Sequence, residues 1–214
     1  MALRVSVNRE QPDPASLVLA AEVIQAGGVI VYPTETLYGI GANALNPQAV
    51  TRVHVAKRRD EKKPILVLVP QADAVEDLVS AIGPTARLLM TTFWPGPLTL
   101  VFRASMRVPA ELIRGGGTIG IRVPSNLLCI KLLQLAECPL TSTSANISGQ
   151  PSMRSIDEIQ KALQSSVDLY LDAGLLPESK PSTVVDVSGN VPVIVREGAI
   201  TRDAILTVIQ ESRG

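Results

Sequence analysis

The chain reads as an α/β protein built as one domain around a twisted, mixed β-sheet with flanking helices. Three features predict this. First, short aliphatic runs such as Val29 to Tyr32, Ile65 to Val69 and Thr118 to Val123 alternate with helical apolar patterns. Second, Thr183 to Val187 and Val191 to Val195 flank Ser188-Gly189-Asn190, a hairpin pattern that argues against a purely parallel sheet. Third, no repeat, low-complexity tract or linker interrupts the 214 residues. The expected domain is residues 14–200, with a terminal helix in 201–214 belonging to the same body.

Each element has a local reason. Asp13-Pro14 supplies a cap and an N1 proline for a helix with Leu17, Ala20, Ala21 and Ile24 on one stripe, and Gly27-Gly28 stop it. The strand Val29 to Tyr32 follows and closes at Pro33. Thr34-Glu35-Thr36 and Tyr38-Gly39-Ile40-Gly41 then read as a ligand loop. Asn46-Pro47 repeats the cap signal and opens a helix carrying Val50 and Val53 toward Lys57-Arg58-Arg59. Ile65 to Val69 is a continuous apolar run, as in a strand covered on both faces.

Helices are expected near Ala72 to Val79 and Pro84 to Thr92, and a strand over Leu98 to Phe102 after Pro95-Gly96-Pro97. Gly115-Gly116-Gly117 precedes the strand Thr118 to Val123, and Leu127 to Ala136 is helical. Pro139 to Ser142 enters the hydroxyl-rich segment Thr141 to Ser148. Ile156 to Leu163 reads as helix and Val167 to Leu171 as extended chain, and Thr201 caps a last helix through Ile209.

Composition narrows the function. Twenty Lys and Arg balance twenty Asp and Glu, which argues against attachment to nucleic acid by bulk charge, and 3% aromatic residues leave few rings for stacking on bases. The apolar runs are strand-sized, far short of the ~20 residues that span a bilayer. The N-terminus turns charged too soon for a secretory signal, so a cytoplasmic address is the default. Cys129 and Cys138 have no CxxC spacing and no nearby His, as expected of buried thiols.

Four groups of residues offer chemistry. Lys57 to Lys63 holds five cations in seven residues at a helix end, where the macrodipole favours cations and a solvated surface is the ordinary reading. On an ideal helix Lys57 and Arg59 lie about 200° apart, so a shared ligand requires the backbone to leave the helix between them. A Lys point charge beside an Arg fork suits a polyphosphate. Thr141 to Ser148 offers small side chains and donors for an anion, or an ordinary loop that satisfies its own backbone. Thr34 to Tyr38 offers hydroxyls for a small polar ligand, or for capping a strand end. Arg122, in an apolar strand, needs an anionic partner if buried, either a ligand or a structural carboxylate; Arg196 ends the hairpin. His54 sits inside a helical pattern as a packed or surface residue. No GxSxG elbow, Walker or Rossmann fingerprint is present. The residues alone therefore favour positioning and charge stabilisation of a phosphorylated ligand.

In order along the chain, these motifs resemble the YrdC-type threonylcarbamoyl-AMP synthase family. The resemblance is carried by Tyr32-Pro-Thr-Glu-Thr-Leu-Tyr-Gly-Ile-Gly41, Lys57-x-Arg59 with Lys63-Pro64, Pro95-Gly-Pro-Leu-Thr99, Thr118-Ile-Gly-Ile-Arg-Val-Pro124, Ser144-Ala-Asn146 with Ser148-Gly149, and Pro181-Ser-Thr-Val-Val-Asp186. It implies a twisted α/β sheet with a concave cationic cavity. It also implies conversion of L-threonine, bicarbonate and ATP, with Mg²⁺ accompanying ATP, to L-threonylcarbamoyl-AMP and pyrophosphate. That product feeds threonylcarbamoylation of adenosine beside the tRNA anticodon.

By the same resemblance, Lys57, Arg59, Ser144 and Asn146 are catalytic and contact the nucleotide. Lys63, Thr118, Ser152 and Arg196 are further nucleotide contacts, and Thr36, Arg122, Ser142 and Ser182 lie on the threonine side. Leu68 stands where some members have His, and Lys63 where some have Asn. The length resembles the short, single-domain form. Other readings are a non-catalytic module binding tRNA or double-stranded RNA, and a divergent branch of the family using another nucleotide substrate.

Overall fold

The computed structural model describes residues 2–58, 65–113 and 116–211. Ten strands form one sheet: β1 (Leu3–Ser6), β2 (Ile30–Pro33), β3 (Tyr38–Gly41), β4 (Leu66–Leu68), β5 (Leu98–Arg103), β6 (Thr118–Arg122), β7 (Leu140–Ser144), β8 (Leu169–Asp172), β9 (Thr183–Asp186) and β10 (Val193–Arg196). Their order is β1-β8-β2-β3-β7-β4-β6-β5-β9-β10. The sheet is mixed as expected, with β4 parallel to β6 and β5 parallel to β9, while β9 and β10 form the antiparallel hairpin. Its helices are α1 (Pro14–Gln25), α2 (Pro47–Ala56), α3 (Pro84–Phe93), α4 (Ala110–Ile113), α5 (Leu127–Ala136), α6 (Ile156–Leu163) and α7 (Arg202–Glu211).

The capping signals work as read. Asp13 accepts from the Ser16 N–H, and Asn46 accepts from Gln48 and Ala49, each ahead of a proline at the helix start.

Alternation along the strands divides the core between the two faces of the sheet. On one face Val29, Val31, Val67, Leu98 and Leu100 meet the apolar sides of α2, α3, α6 and α7. On the other, Ile30, Tyr32, Leu68, Leu140, Leu169 and Leu171 are covered by α1 and α5. This second cluster takes nothing from β5, β6, β9 or β10. Among the described residues no helix roofs that half of the second face, and the site lies there.

Four expectations differ from the structure. Tyr38–Gly41 is a strand, not a ligand loop, because it pairs with both β2 and β7. The hydroxyl-rich segment is likewise strand as far as Ser144, which sits opposite Gly39. The helix expected over Ala72 to Val79 is a single 3₁₀ turn, Ala72–Val75, with no side-chain cap; Val79 is instead drawn into a bridge with Ala104. Finally, β1, unseen in the sequence, pairs in parallel with β8, so the sheet begins ahead of residue 14.

Candidate active site

The open half of the second face carries a cavity of about 480 Å³. Its floor is built by strand parity: Ser142 and Ser144 of β7, Leu66 of β4, Arg122 of β6 and Val184 of β9 share one side of the sheet. Of the fifteen described residues that line it, eight are Ser or Thr and two, Arg122 and Arg196, are cations. Such a lining suits a polar, anionic ligand of small-molecule size.

One wall is the turn between β2 and β3. Thr34 Oγ1 accepts from the N–H groups of Thr36 (3.1 Å) and Leu37 (3.1 Å) and donates to the Leu37 carbonyl at 2.7 Å. This places Thr36 at the rim on a fixed backbone. Below it the Tyr38 hydroxyl donates to Gly174 O at 2.8 Å and accepts from Ala173 N at 2.9 Å, and burial pushes the phenol up to about 12. The opposite wall is the segment after β8, where Ser179 Oγ donates to Thr36 O across the mouth. Ser182 Oγ is 2.9 Å from Thr99 Oγ1, and Arg196 donates to Ser182 O at 2.9 Å through Nη2. Burial, with repulsion from Arg122, lowers the Arg196 guanidinium from its ordinary value.

Arg122 is only 4% exposed. Its Nη1 stands 3.1 Å from Glu35 Oε1, an ion pair whose angles fall short of a hydrogen bond. The Arg122 Nε and both Glu35 oxygens are buried without a hydrogen-bond partner. The sequence left ligand and structural carboxylate open for Arg122, and the structure supplies the carboxylate while leaving Nε, in a cavity-lining residue, unanswered.

Lys57 departs from the solvated helix end that the cationic run suggests. It is the C-cap residue of α2 and is 1% exposed. Its Nζ donates to the Ser144 carbonyl, to Asn146 O at 2.9 Å and to Asn146 Oδ1 at 3.1 Å. Asn146 Oδ1 also accepts from Ser144 Oγ at 2.6 Å, and the Asn146 amide donates to Gln150 O. Lys57, Ser144 and Asn146 thus form one knot beneath the cavity, with Ser144 the member that lines it. The chain leaves the helix at Arg58, whose φ is +47°, as a shared ligand for Lys57 and Arg59 requires.

Of the expected site residues, Thr36, Arg122, Ser142, Ser144, Ser152, Ser182 and Arg196 line the cavity. Lys57 and Asn146 lie behind it. Thr118 occupies the far end of β6, on the same side of the strand as Arg122 but outside the lining. Arg59 and Lys63 fall outside the described residues. Thr34 and Tyr38, in the segment the sequence offers to a small polar ligand, line the cavity, as does Ser179, for which the sequence gives no signal. Glu35 belonged to a quoted motif, and its sign opposite Arg122 was the available signal. Leu68 is buried among the residues under α1 and α5. His54 is packed, 3.1 Å from the Glu111 carbonyl through Nε2. Both cysteines are free thiols, Cys129 buried and Cys138 half-buried.

A family model named for Sua5, YciO and YrdC, and described as telomere recombination, matches residues 22–198. The chain belongs to the Sua5/YciO/YrdC family. Within it, the threonylcarbamoyl-AMP synthase of Pyrococcus abyssi (strain GE5 / Orsay) is 36% identical over 205 residues, covering 96% of this chain and 60% of that relative. A putative threonylcarbamoyl-AMP synthase of Methanocaldococcus jannaschii is 35% identical, over 91% of this chain and 90% of its own length. A crystal structure of P. abyssi Sua5 complexed with L-threonine superposes with a TM-score of 0.93 at 35% identity, covering 98% of this chain and 62% of that one. The chain thus spans about 60% of the length of the Pyrococcus relative. The single α/β domain with a mixed sheet flanked by helices is the fold of this family. Among the described residues no helix is long and apolar enough to cross a membrane.

Proposed function

We propose that this chain is a nucleotidyltransferase that makes L-threonylcarbamoyl-AMP and pyrophosphate from L-threonine, bicarbonate and ATP, in the cytoplasm, for modification of tRNA. The observation that carries the reading is Arg122: a buried guanidinium on the floor of a hydroxyl-lined cavity, ion-paired with Glu35 but not hydrogen-bonded to it, in a family with a member crystallised with L-threonine. A carboxylate in that cavity would complete Arg122, and Ser142, Ser182 and Thr36 stand around it as donors and acceptors.

In this reading the amine of bound threonine captures carbon dioxide or bicarbonate as a carbamate. A carbamate oxygen attacks the α-phosphorus of ATP, and pyrophosphate leaves. Arg196 and the Ser144 side of the knot would face the phosphates, with Arg59 and Lys63 joining them from the segment after α2 and Thr118 and Ser152 as further contacts. Lys57 and Asn146 would hold Ser144 in place. No protein nucleophile is needed, and the residues act by orientation and by offsetting charge. Mg²⁺ would enter with ATP, held by phosphate oxygens.

The test is mass spectrometry after incubation with ATP, Mg²⁺, bicarbonate and L-threonine. The adenylate should appear together with pyrophosphate in the wild type and vanish in a folded Arg122→Leu variant. Intact ATP in the wild type, or full turnover by the variant, sinks the reading.

A further inference from the structure

We infer that Glu35 is a positioning residue that holds the Arg122 guanidinium in the orientation it presents to the cavity, and so sets the selectivity of the site for a ligand carboxylate. The inference rests on the proposed reading that Arg122 receives the carboxylate of the amino acid substrate.

An arginine has two edges that can grip a carboxylate with paired N–H groups: the end formed by Nη1 and Nη2, and the side formed by Nε and Nη2. Here Nη1 is held 3.1 Å from Glu35 Oε1, and Nε is buried without a hydrogen-bond partner, so Nη2, the nitrogen common to both edges, is the one left to meet a ligand in the cavity. With side chains only 5% and 17% exposed, Arg122 and Glu35 interact where water screens them little.

Glu35 itself has little freedom. It lies in the four-residue turn between β2 and β3, whose backbone is tied by Thr34 Oγ1 accepting from the N–H groups of Thr36 and Leu37. Behind Glu35 is a second cavity of about 330 Å³, which it lines together with Arg9 and with Asn126 at the start of α5. Glu35 does not line the main cavity, so it acts on a ligand there through Arg122. Charge follows the same geometry. The Glu35–Arg122 pair is neutral overall, so Arg122 attracts a carboxylate chiefly through directed N–H groups, and misdirecting them removes the attraction.

The readout is the ratio of dissociation constants for L-threoninamide and L-threonine, measured by calorimetry at one pH, because the two ligands differ at the carboxylate. Glu35→Gln keeps the shape of the side chain and removes its charge. It is expected to lower the ratio by roughly tenfold while leaving the ATP dissociation constant within about twofold. A space-filling Glu35 would leave the ratio at its wild-type value, and a Glu35 that merely repels ligand carboxylates would raise it when removed; either result overturns the inference, as does parallel weakening of both ligands and ATP. If Glu35→Gln does not fold, Glu35→Asp serves, since its carboxylate is one methylene short of Nη1: a lowered ratio supports the inference and an unchanged one overturns it. A wild type with no preference for L-threonine, or an Arg122→Leu variant with undiminished affinity for it, would instead sink the proposed function.

Discussion

Lys57 Nζ lies 2.9 Å from the main-chain oxygen of Asn146 and 3.1 Å from its side-chain Oδ1, on a side chain that is 1% exposed. The ammonium thereby ties the end of α2 to the turn that follows β7. Two residues of one sequence motif are held by the first residue of another, 87 and 89 positions away.

Replacing Lys57 with Met keeps the length of the chain and removes the donors. Each buried acceptor left unsatisfied costs about 1–3 kcal/mol, so a clear loss of stability in urea unfolding is expected. ATP affinity should fall as well, and because Lys57 acts here through Asn146, Asn146→Ala should add little to that loss. Strictly additive losses in the double variant would show that the two residues act independently.

These residues also show what the sequence made legible. Cap-and-proline signals at Asp13-Pro14 and Asn46-Pro47 are local, and they located two helices correctly. The ligand-side placement of Arg122 and Ser182 came from the family resemblance and not from the strand pattern, and both line the cavity. Partnership was not legible, because charge runs do not report burial: Lys57 looked like a solvated helix end, and Arg122 had no visible claim on Glu35. Tyr38–Gly41 was missed as a strand because glycines at 39 and 41 mimic a loop, whereas the one at 41 is where the strand admits a ring. Its pairing partners, β2 and β7, settle the matter only in three dimensions.

The ring is that of Tyr32, and two glycines of similar closeness should respond differently to substitution. A Cβ at Gly41 would sit 2.5 Å from Tyr32 Cε1, on a fully buried side chain whose hydroxyl donates to Thr141 O. A Cβ at Gly120 would also meet an atom at 2.5 Å, but that atom is Cδ2 of Leu66, the flexible end of a side chain lining the cavity. Gly41→Ala should therefore destabilise by about 1–3 kcal/mol, as overpacking does. Gly120→Ala should cost far less stability and instead weaken ligand binding, by pushing Leu66 into the cavity. Denaturant midpoints and threonine calorimetry on both variants check this; equal losses of stability would refute the distinction.

The thiols give a pH dependence with a definite sign. Burial pushes Cys138 up to about 11 and also raises Cys129, where the neighbouring Glu35 carboxylate adds to the effect. In the unfolded chain both thiols ionise near their ordinary value of ~8.5. Between that value and about 11 the unfolded state releases protons that the folded state keeps, so stability falls as pH rises through this window. Below the window both states hold the protons and neither thiol makes stability depend on pH. Native protein at pH 8 should therefore react slowly with a thiol reagent, and the Cys138→Ser variant should lose part of the alkaline decline seen in urea titrations of the wild type. A decline of unchanged slope in that variant would assign the alkaline limb to other groups.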